Sequence, residues 1–321
     1  MGSNRRDDAP ADSGPTRRLK NADDETDQGR VRFGFLSPKL VKGRHLFVAG
    51  PSGLPQSRYT RTMSARENDS GFTSVLVPDH DVLLVEADST QLSRDLDLHI
   101  LSCGLKYDPL VRQLLEDGLL ALAFHILTRP GEETVGWTIS LQKPALNLFF
   151  TGHAAEGYVA GRGFAGGVRR REQNLFLAQV SRPRNTPRLS TLSVEGLDIF
   201  AMVEAYYERS EQRPARFFHQ NQRIIFGQPL PGADPAWLAA LQSPTAFELA
   251  KADSSRVLCR RHVSFTCGCN TERILEVVSK VYGKDSSTLF GVDPAVHIEC
   301  PRCAAGYRLP REEYEKYVAR K

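Results

Sequence analysis

Four cysteines near the C-terminus, in the pairs Cys267-Gly-Cys269 and Cys300-Pro-Arg-Cys303, constrain this chain more than any other feature. Two close thiol pairs separated by a longer segment have the spacing of a closed, all-thiolate tetrahedral zinc site. With Zn–S near ~2.3 Å, neighbouring sulfurs sit a little under ~4 Å apart, so each pair supplies one edge of the tetrahedron. The second pair is an ordinary knuckle, whereas the first, C-x-C, is one residue shorter than C-x2-C. A disulfide across so short a span closes a small ring, departs from relaxed geometry and is easily reduced again. Two readings follow from the spacing: a permanent structural zinc, or thiolates that alternate between metal and reversible disulfide. The only nearby substitute ligands are Cys259, His262 and His297.

Composition fits one substantial domain and one small one. At 321 residues, 40% hydrophobic and 25% charged, the chain buries a large core and needs a metal only where a unit is too small to fold unaided. Its 42 basic and 38 acidic residues leave a net charge of +4, too slight to attract nucleic acid or membrane globally. The run Arg169 to Arg171 reads as a solvated loop. The longest apolar stretch, Leu119 to Leu127, contains His125 and falls far below the ~20 residues of a membrane span. No hydrophobic signal segment opens the chain, so the expectation is a cytoplasmic location with reduced thiols.

The first thirty residues alternate acids, bases, Gly and Pro and predict a disordered tail. Strand patterns follow at Val31 to Phe35, Leu46 to Ala49, Thr73 to Val77 and Val82 to Ala87, with a long loop from Gly50 to Gly71. Leu110 to Leu127 is too densely apolar for a surface stripe and predicts a buried helix with Gly118 as a close-packing point. Thr134 to Leu141, Leu146 to Thr151 and Asn174 to Ala178 read as strands. Without regular alternation of strand and helix, the fold class is α+β: a mixed sheet-and-helix N-terminal domain with a small four-cysteine zinc domain.

Two tempting readings are set aside. Gly161-Arg-Gly163-Phe-Ala-Gly166 matches G-x-G-x-x-G but is followed by a strand, not the helix a dinucleotide needs. No G-x-S-x-G elbow or protease-like cysteine points to nucleophilic catalysis, so no enzyme is expected. Cys103, between Leu101 and Leu105, reads as a small buried hydrophobe, and Cys259 as a bystander or a secondary redox partner in a basic stretch.

A family resemblance rests on three segments. Tyr207 to Ala215, with Ser210, Glu211, Gln212 and Pro214, ends an amphipathic helix from Leu197 and looks like the Y-x-x-S-E-Q-x-P segment of the redox-regulated 33 kDa heat-shock chaperonin family. Val263-Ser-Phe265-Thr-Cys267-Gly-Cys269-Asn-Thr-Glu272-Arg273 resembles its V-x-F-x-C-x-C-S-x-E-R. Glu299-Cys300-Pro-Arg-Cys303, with Tyr307 following, resembles its closing E-x-C-x-x-C. Weaker similarity covers Arg32 to Gly43 and the strands from Gly136 to Gly163. Asn270 replaces the family's serine but caps equally well the helix carrying Ile274, Val277, Val278 and Val281, which Gly283 ends. Ala304 stands where the family has Gly, which predicts loss of a left-handed turn beside the sulfurs. Between Trp237 and Cys259 the chain is shorter than the family's linker.

The resemblance implies an ATP-independent holdase that binds unfolding proteins after oxidation. Cys267, Cys269, Cys300 and Cys303 would be both the ligands of one zinc ion and the redox-active thiols, paired on oxidation as Cys267–Cys269 and Cys300–Cys303. The organisation it implies is a tail over 1–30, a client-binding domain over 31–241, a linker over 242–262 and a zinc-binding switch over 263–321. Its partners would be unfolded or partly folded clients, with a homodimer allowed in the oxidised state and no membrane or nucleic acid. The rival readings are a constitutive zinc-stabilised interaction scaffold and a zinc-ribbon nucleic-acid binder, the latter disfavoured by the lack of a basic stripe.

Overall fold

The computed structural model describes residues 30–31, 71–165 and 168–320. The expected tail, except Arg30, and the strand and loop expected over 32–70 lie outside the described residues.

The fold is α+β, built on a five-stranded and a six-stranded sheet with one helix between them. The chain order is β1 (Arg30–Val31), β2 (Phe72–Val77), β3 (Val82–Asp88), α1 (Thr90–Ser102), α2 (Pro109–Leu127), β4 (Thr134–Gln142), β5 (Ala145–His153), β6 (Tyr158–Phe164), β7 (Asn174–Ser181) and β8 (Arg188–Val194). Then come α3 (Ile199–Tyr206), β9 (Arg216–Gln220), β10 (Arg223–Pro229), α4 (Pro235–Ala240), α5 (Ser243–Leu249), β11 (Arg256–Arg261) and β12 (Ser264–Phe265). The C-terminal elements are α6 (Thr271–Tyr282), α7 (Ser286–Phe290), β13 (Ala295–Glu299), β14 (Gly306–Pro310) and α8 (Arg311–Ala319). The five-stranded sheet runs β11-β2-β3-β10-β9, the six-stranded sheet β12-β6-β5-β4-β7-β8, and a small third sheet β1-β13-β14.

From Gly118 to Ile126 every residue of helix α2 is buried, because this part has sheet on both sides. Phe124 meets Phe72 of β2, Phe217 of β9 and Phe226 of β10, all within one continuous core that also holds Trp137, Leu148 and Phe150 of β4 and β5. On the opposite side a Cβ at Gly118 would lie 2.1 Å from the Phe150 ring, so only glycine lets α2 approach β5. Gly161 and Gly163 lie inside β6, and a Cβ on either would crowd Phe149, Phe150 or Val111; they allow close packing and do not form a phosphate loop. A second core packs α4 and α5 against the outer face of the five-stranded sheet through Val75, Leu84, Ile225, Leu238 and Phe247. A third, around Ile274, Val278, Phe290, Ile298 and Tyr314, belongs to the C-terminal unit.

Two expectations are corrected. The helix before Pro214 stops earlier than that proline requires: α3 passes into one wider turn over Tyr207–Glu211 and ends at Gln212, which is left-handed with φ 56°. Cys103 is half-exposed at the end of α1, its Sγ 3.8 Å from both His99 Nδ1 and Ser102 Oγ, and is no core hydrophobe. The segment 242–262 carries α5 and β11, the latter paired antiparallel with β2. No described helix is long and apolar enough to cross a membrane.

Candidate metal centre

The two cysteine pairs are delivered by opposite ends of the C-terminal unit. Gly268, at φ 63°, bends the chain between Cys267 and Cys269. Asn270 then starts α6 by accepting a hydrogen bond from the Arg273 backbone N–H at 2.9 Å, and Gly283 ends it at φ 58°. Cys300 leaves β13, and the chain turns back into β14 through a knuckle in which Ala304 N–H donates to the Cys300 carbonyl at 2.9 Å and Cys300 N–H to that of Ala305 at 2.8 Å. Ala304 keeps the left-handed conformation at φ 66°, so the turn expected to be lost without glycine is retained.

These turns bring all four sulfurs within 4.8 Å of one another. Cys267 and Cys300 Sγ are 3.6 Å apart, and Cys269 and Cys303 Sγ 3.5 Å, close to the edge length of a tetrahedral zinc–thiolate site. Cys300 and Cys303 are buried and Cys269 half-buried, while Cys267 is half-buried as a residue but buried within the ligand cluster. Four soft donors in a closed shell fit zinc, and they leave no position for a reactive water. Cys259 is exposed on β11, and neither it nor His262 nor His297 joins this cluster.

Electrostatics separates the four thiols. Cys269 is held far below the ordinary thiol range because it accepts from Cys267, Cys300 and Cys303 and from the Tyr307 hydroxyl at 3.0 Å. Cys300 is lowered to about 7, first by its bond with Cys267. Cys267 and Cys303 are pushed upward as the donors of the network, Cys267 chiefly toward Cys269 and Cys303 chiefly toward Cys267.

The main body grips this knuckle. His99 of α1 donates from Nε2 to the Cys303 carbonyl at 2.8 Å and packs its ring 4.7 Å from that of Phe265. Arg162 of β6 donates to the Cys300 carbonyl and pairs with Glu299, both at 2.9 Å. Strand β12 joins β6 in parallel, and Cys300 and Cys303 pack into the main core. Neither His99 nor Arg162 was flagged by the sequence, because each meets the knuckle across more than a hundred residues.

The site's geometry agrees with the chain's likeness to known proteins. The model of the family described as Hsp33 protein matches residues 105–310, well over half of the chain. A 33 kDa chaperonin of Hahella chejuensis is 28% identical over 168 residues, 44% of this chain and 58% of that protein. One from Nitrosococcus oceani is 25% identical over 152 residues, 40% of this chain and 53% of its own length. The chain thus spans just over half the length of these curated relatives. The crystal structure of the 33 kDa chaperonin (heat shock protein 33 homolog) of Thermotoga maritima covers 78% of this chain and 98% of its own, with a TM-score of 0.60 and 14% identity, a likeness of fold. The matched range contains both cysteine pairs and Arg162, and the chain belongs to the Hsp33 protein family.

Proposed function

We propose that this protein is a chaperone of the holdase type, a non-enzymatic binder of unfolding polypeptides whose activity is switched by oxidation of Cys267, Cys269, Cys300 and Cys303. The observation that carries the reading is the four-thiol cluster, with sulfurs within 4.8 Å of one another, whose Cys300 and Cys303 carbonyls are held by Arg162 and His99. A bound zinc ion supplies no redox chemistry of its own but cross-links four thiolates that a unit this small needs in order to stay folded. The thiolates tie the start of α6 to the β13–β14 knuckle, and the knuckle carbonyls are then in place for Arg162 and His99. When two neighbouring thiolates reduce a peroxide, a disulfide forms, two electrons pass to the O–O bond and two protons from solvent complete two waters. Two sulfurs are then lost as ligands, the knuckle loosens, and the main body is uncovered.

On this reading residues 31–241 carry the capture surface, 242–262 connect and 263–321 regulate. In support, Leu98 and Leu101 lie one helical turn apart on α1, beside His99, and are 64% and 79% exposed. The disulfides expected are Cys267–Cys269 and Cys300–Cys303; the short Cys267–Cys300 and Cys269–Cys303 separations make the crossed pairing the competitor that peptide mapping would reveal. A second reading, a permanent zinc scaffold, draws on the pairing of β11 and β12 with strands of the main body. Treating the zinc-loaded protein with peroxide or hypochlorite distinguishes them. The switch predicts metal release together with suppression of a model client's aggregation; retained metal and no gain in suppression would establish the scaffold.

A further inference from the structure

Among the described residues, His125 is the one fully buried histidine, 0% exposed near the C-terminal end of α2. Its ring lies against Trp137 of β4 and against Tyr206 and Tyr207 at the end of α3, with centroids 5.1, 5.9 and 5.4 Å away. Nδ1 is 2.7 Å from the Tyr207 hydroxyl. The Thr128 hydroxyl donates to the His125 carbonyl at 2.9 Å and lies 3.3 Å from the same phenol. Thr128 has then spent its only proton, so every proton of the chain is placed when Nδ1–H donates to Tyr207 and Tyr207 donates to Thr128. Nε2 is left as a bare acceptor, and neither it nor the Trp137 indole N–H has a partner among the described residues. We propose that His125 is a proton-operated switch: protonation of its ring opens the corner between α2, β4 and the turn after α3, without any oxidant.

The described core has no place for an imidazolium. Its Nε2–H would be a buried donor beside the indole N–H that already lacks an acceptor. Burial itself, and then the guanidinium groups of Arg129 on α2, Arg213 beyond the turn and Arg188 on β8, hold the ring well below its ordinary value of 6.5. The carboxylates at this corner are engaged elsewhere: Arg129 pairs with Glu133 and Glu211, Arg182 with Glu133 and Arg188 with Glu211. Burial raises the Tyr206 and Tyr207 phenols, so neither supplies an anion. A group lowered in the folded state contributes stability that is complete above its unfolded value and is lost as pH falls below it. Each pH unit below about 6.5 therefore favours the open form by up to tenfold. Glu133 and Glu211 stay charged through that window, because their hydrogen-bonded partners outweigh burial and hold both carboxyls below the usual range. Opening would part Trp137 from Phe176 and Tyr207 from Phe226, uncovering aromatic surface of the kind that holds unfolded polypeptide.

Client capture at that surface rests on the functional reading above, whereas the switch does not, and the test separates them. The full-length reduced protein is compared with His125→Asn, which keeps an N–H donor near the Nδ1 position and cannot titrate. Amide hydrogen exchange, corrected for its intrinsic pH dependence, is followed from about pH 7.5 to 5. Protection of α2 and β4 is expected to fall about 10–30-fold more in wild type than in the variant, as one extra proton bound by the open form implies. Every other titrating group, the thiols included, is common to both proteins, so its effect cancels in the comparison. Deuteration of the imidazole C2–H, read site by site by mass spectrometry, reports protonation of His125 in the wild type directly and carries the test if the variant fails to fold. A midpoint below 6.5 that follows the loss of protection is expected. Equal loss of protection in both proteins, or an ordinary midpoint near 6.5 with protection intact, would overturn the proposal. Suppression of a model client's aggregation is measured in parallel under reducing conditions at about pH 5.5. Loss of protection with no suppression would establish the switch and sink the client capture drawn from the functional reading.

Discussion

At Ala304 a single side chain is held in a conformation that glycine adopts freely. Its φ of 66° closes the knuckle and directs its N–H to the Cys300 carbonyl. A Cβ in the left-handed region costs about 1 kcal/mol, partly offset by alanine's smaller loss of chain entropy on folding. Ala304→Gly should therefore stabilise the C-terminal unit by up to about 1 kcal/mol, read as a higher denaturant midpoint of the zinc-loaded protein; an unchanged or lower midpoint would show that the turn carries no strain. Residues whose task is local were legible in the sequence: the cysteine spacing, the Asn270 cap, the Gly283 stop and the close approach at Gly118. Tyr307 was legible only as part of a motif, because its partner Cys269 lies 38 residues away and no spacing rule connects a phenol to a thiol at that distance.

The turn after α3 shows why a motif can be legible while its role is not. Glu211 accepts from the Tyr206 hydroxyl at 2.7 Å, from Arg129 Nη1 at 2.7 Å and from Arg188 Nη2 at 2.6 Å. Ser210 Oγ donates to Ser190 Oγ, and Gln212 supplies the left-handed exit. The segment is thus a structural corner joining α2, β8 and α3. Burial opposes ionisation of Glu211, but the Tyr206 hydroxyl and the two guanidinium groups outweigh it and hold its carboxyl below the usual range. A carboxylate held low stabilises the fold above its unfolded pKa and loses that contribution as pH falls through the folded value. Glu211→Gln should cost about 3 kcal/mol at neutral pH, since Arg129 and Glu211 side chains are only 9% and 5% exposed. The deficit should shrink on acidification below about pH 4.5, the ordinary carboxylate value. Denaturant unfolding of both proteins between pH 3 and 7 checks this, and a pH-independent difference would refute it. Elements read well where one face is buried, as in β2 to β5 and α6, or where the apolar run is dense enough to mark burial on all sides, as in the second half of α2. Helix α1 escaped notice because it buries only Leu92 and Leu96, and β11 because all six of its residues are exposed and its backbone pairing with β2 alone holds it.

Across the whole molecule, the C-terminal unit is fastened to the main body at points that do not involve the sulfurs themselves. Arg162 is the most telling, because it reaches from β6 to the Cys300 carbonyl and to Glu299 while its ring-facing side covers Phe164 at 4.4 Å. Its side chain is 11% exposed and that of Glu299 25%, so the pair is largely shielded from solvent, and hydrogen bonds to a charged group contribute about 1.5–3 kcal/mol each. His99 and the pairing of β12 with β6 remain when Arg162 is removed, which makes the expected result partial release. Arg162→Ala should leave zinc stoichiometry at one, because no ligand is altered, yet raise amide hydrogen exchange across β13, β14 and β12 by about tenfold or more, as a loss of at least 1.4 kcal/mol implies. On the functional reading it should also bring client binding at lower oxidant exposure, since docking would no longer oppose loosening of the knuckle. Unchanged exchange in those strands would mean that the remaining contacts, His99 and the β12–β6 pairing among them, hold the unit in place without Arg162, and faster exchange without earlier client binding would mean that the surface beneath it is not the one that captures clients.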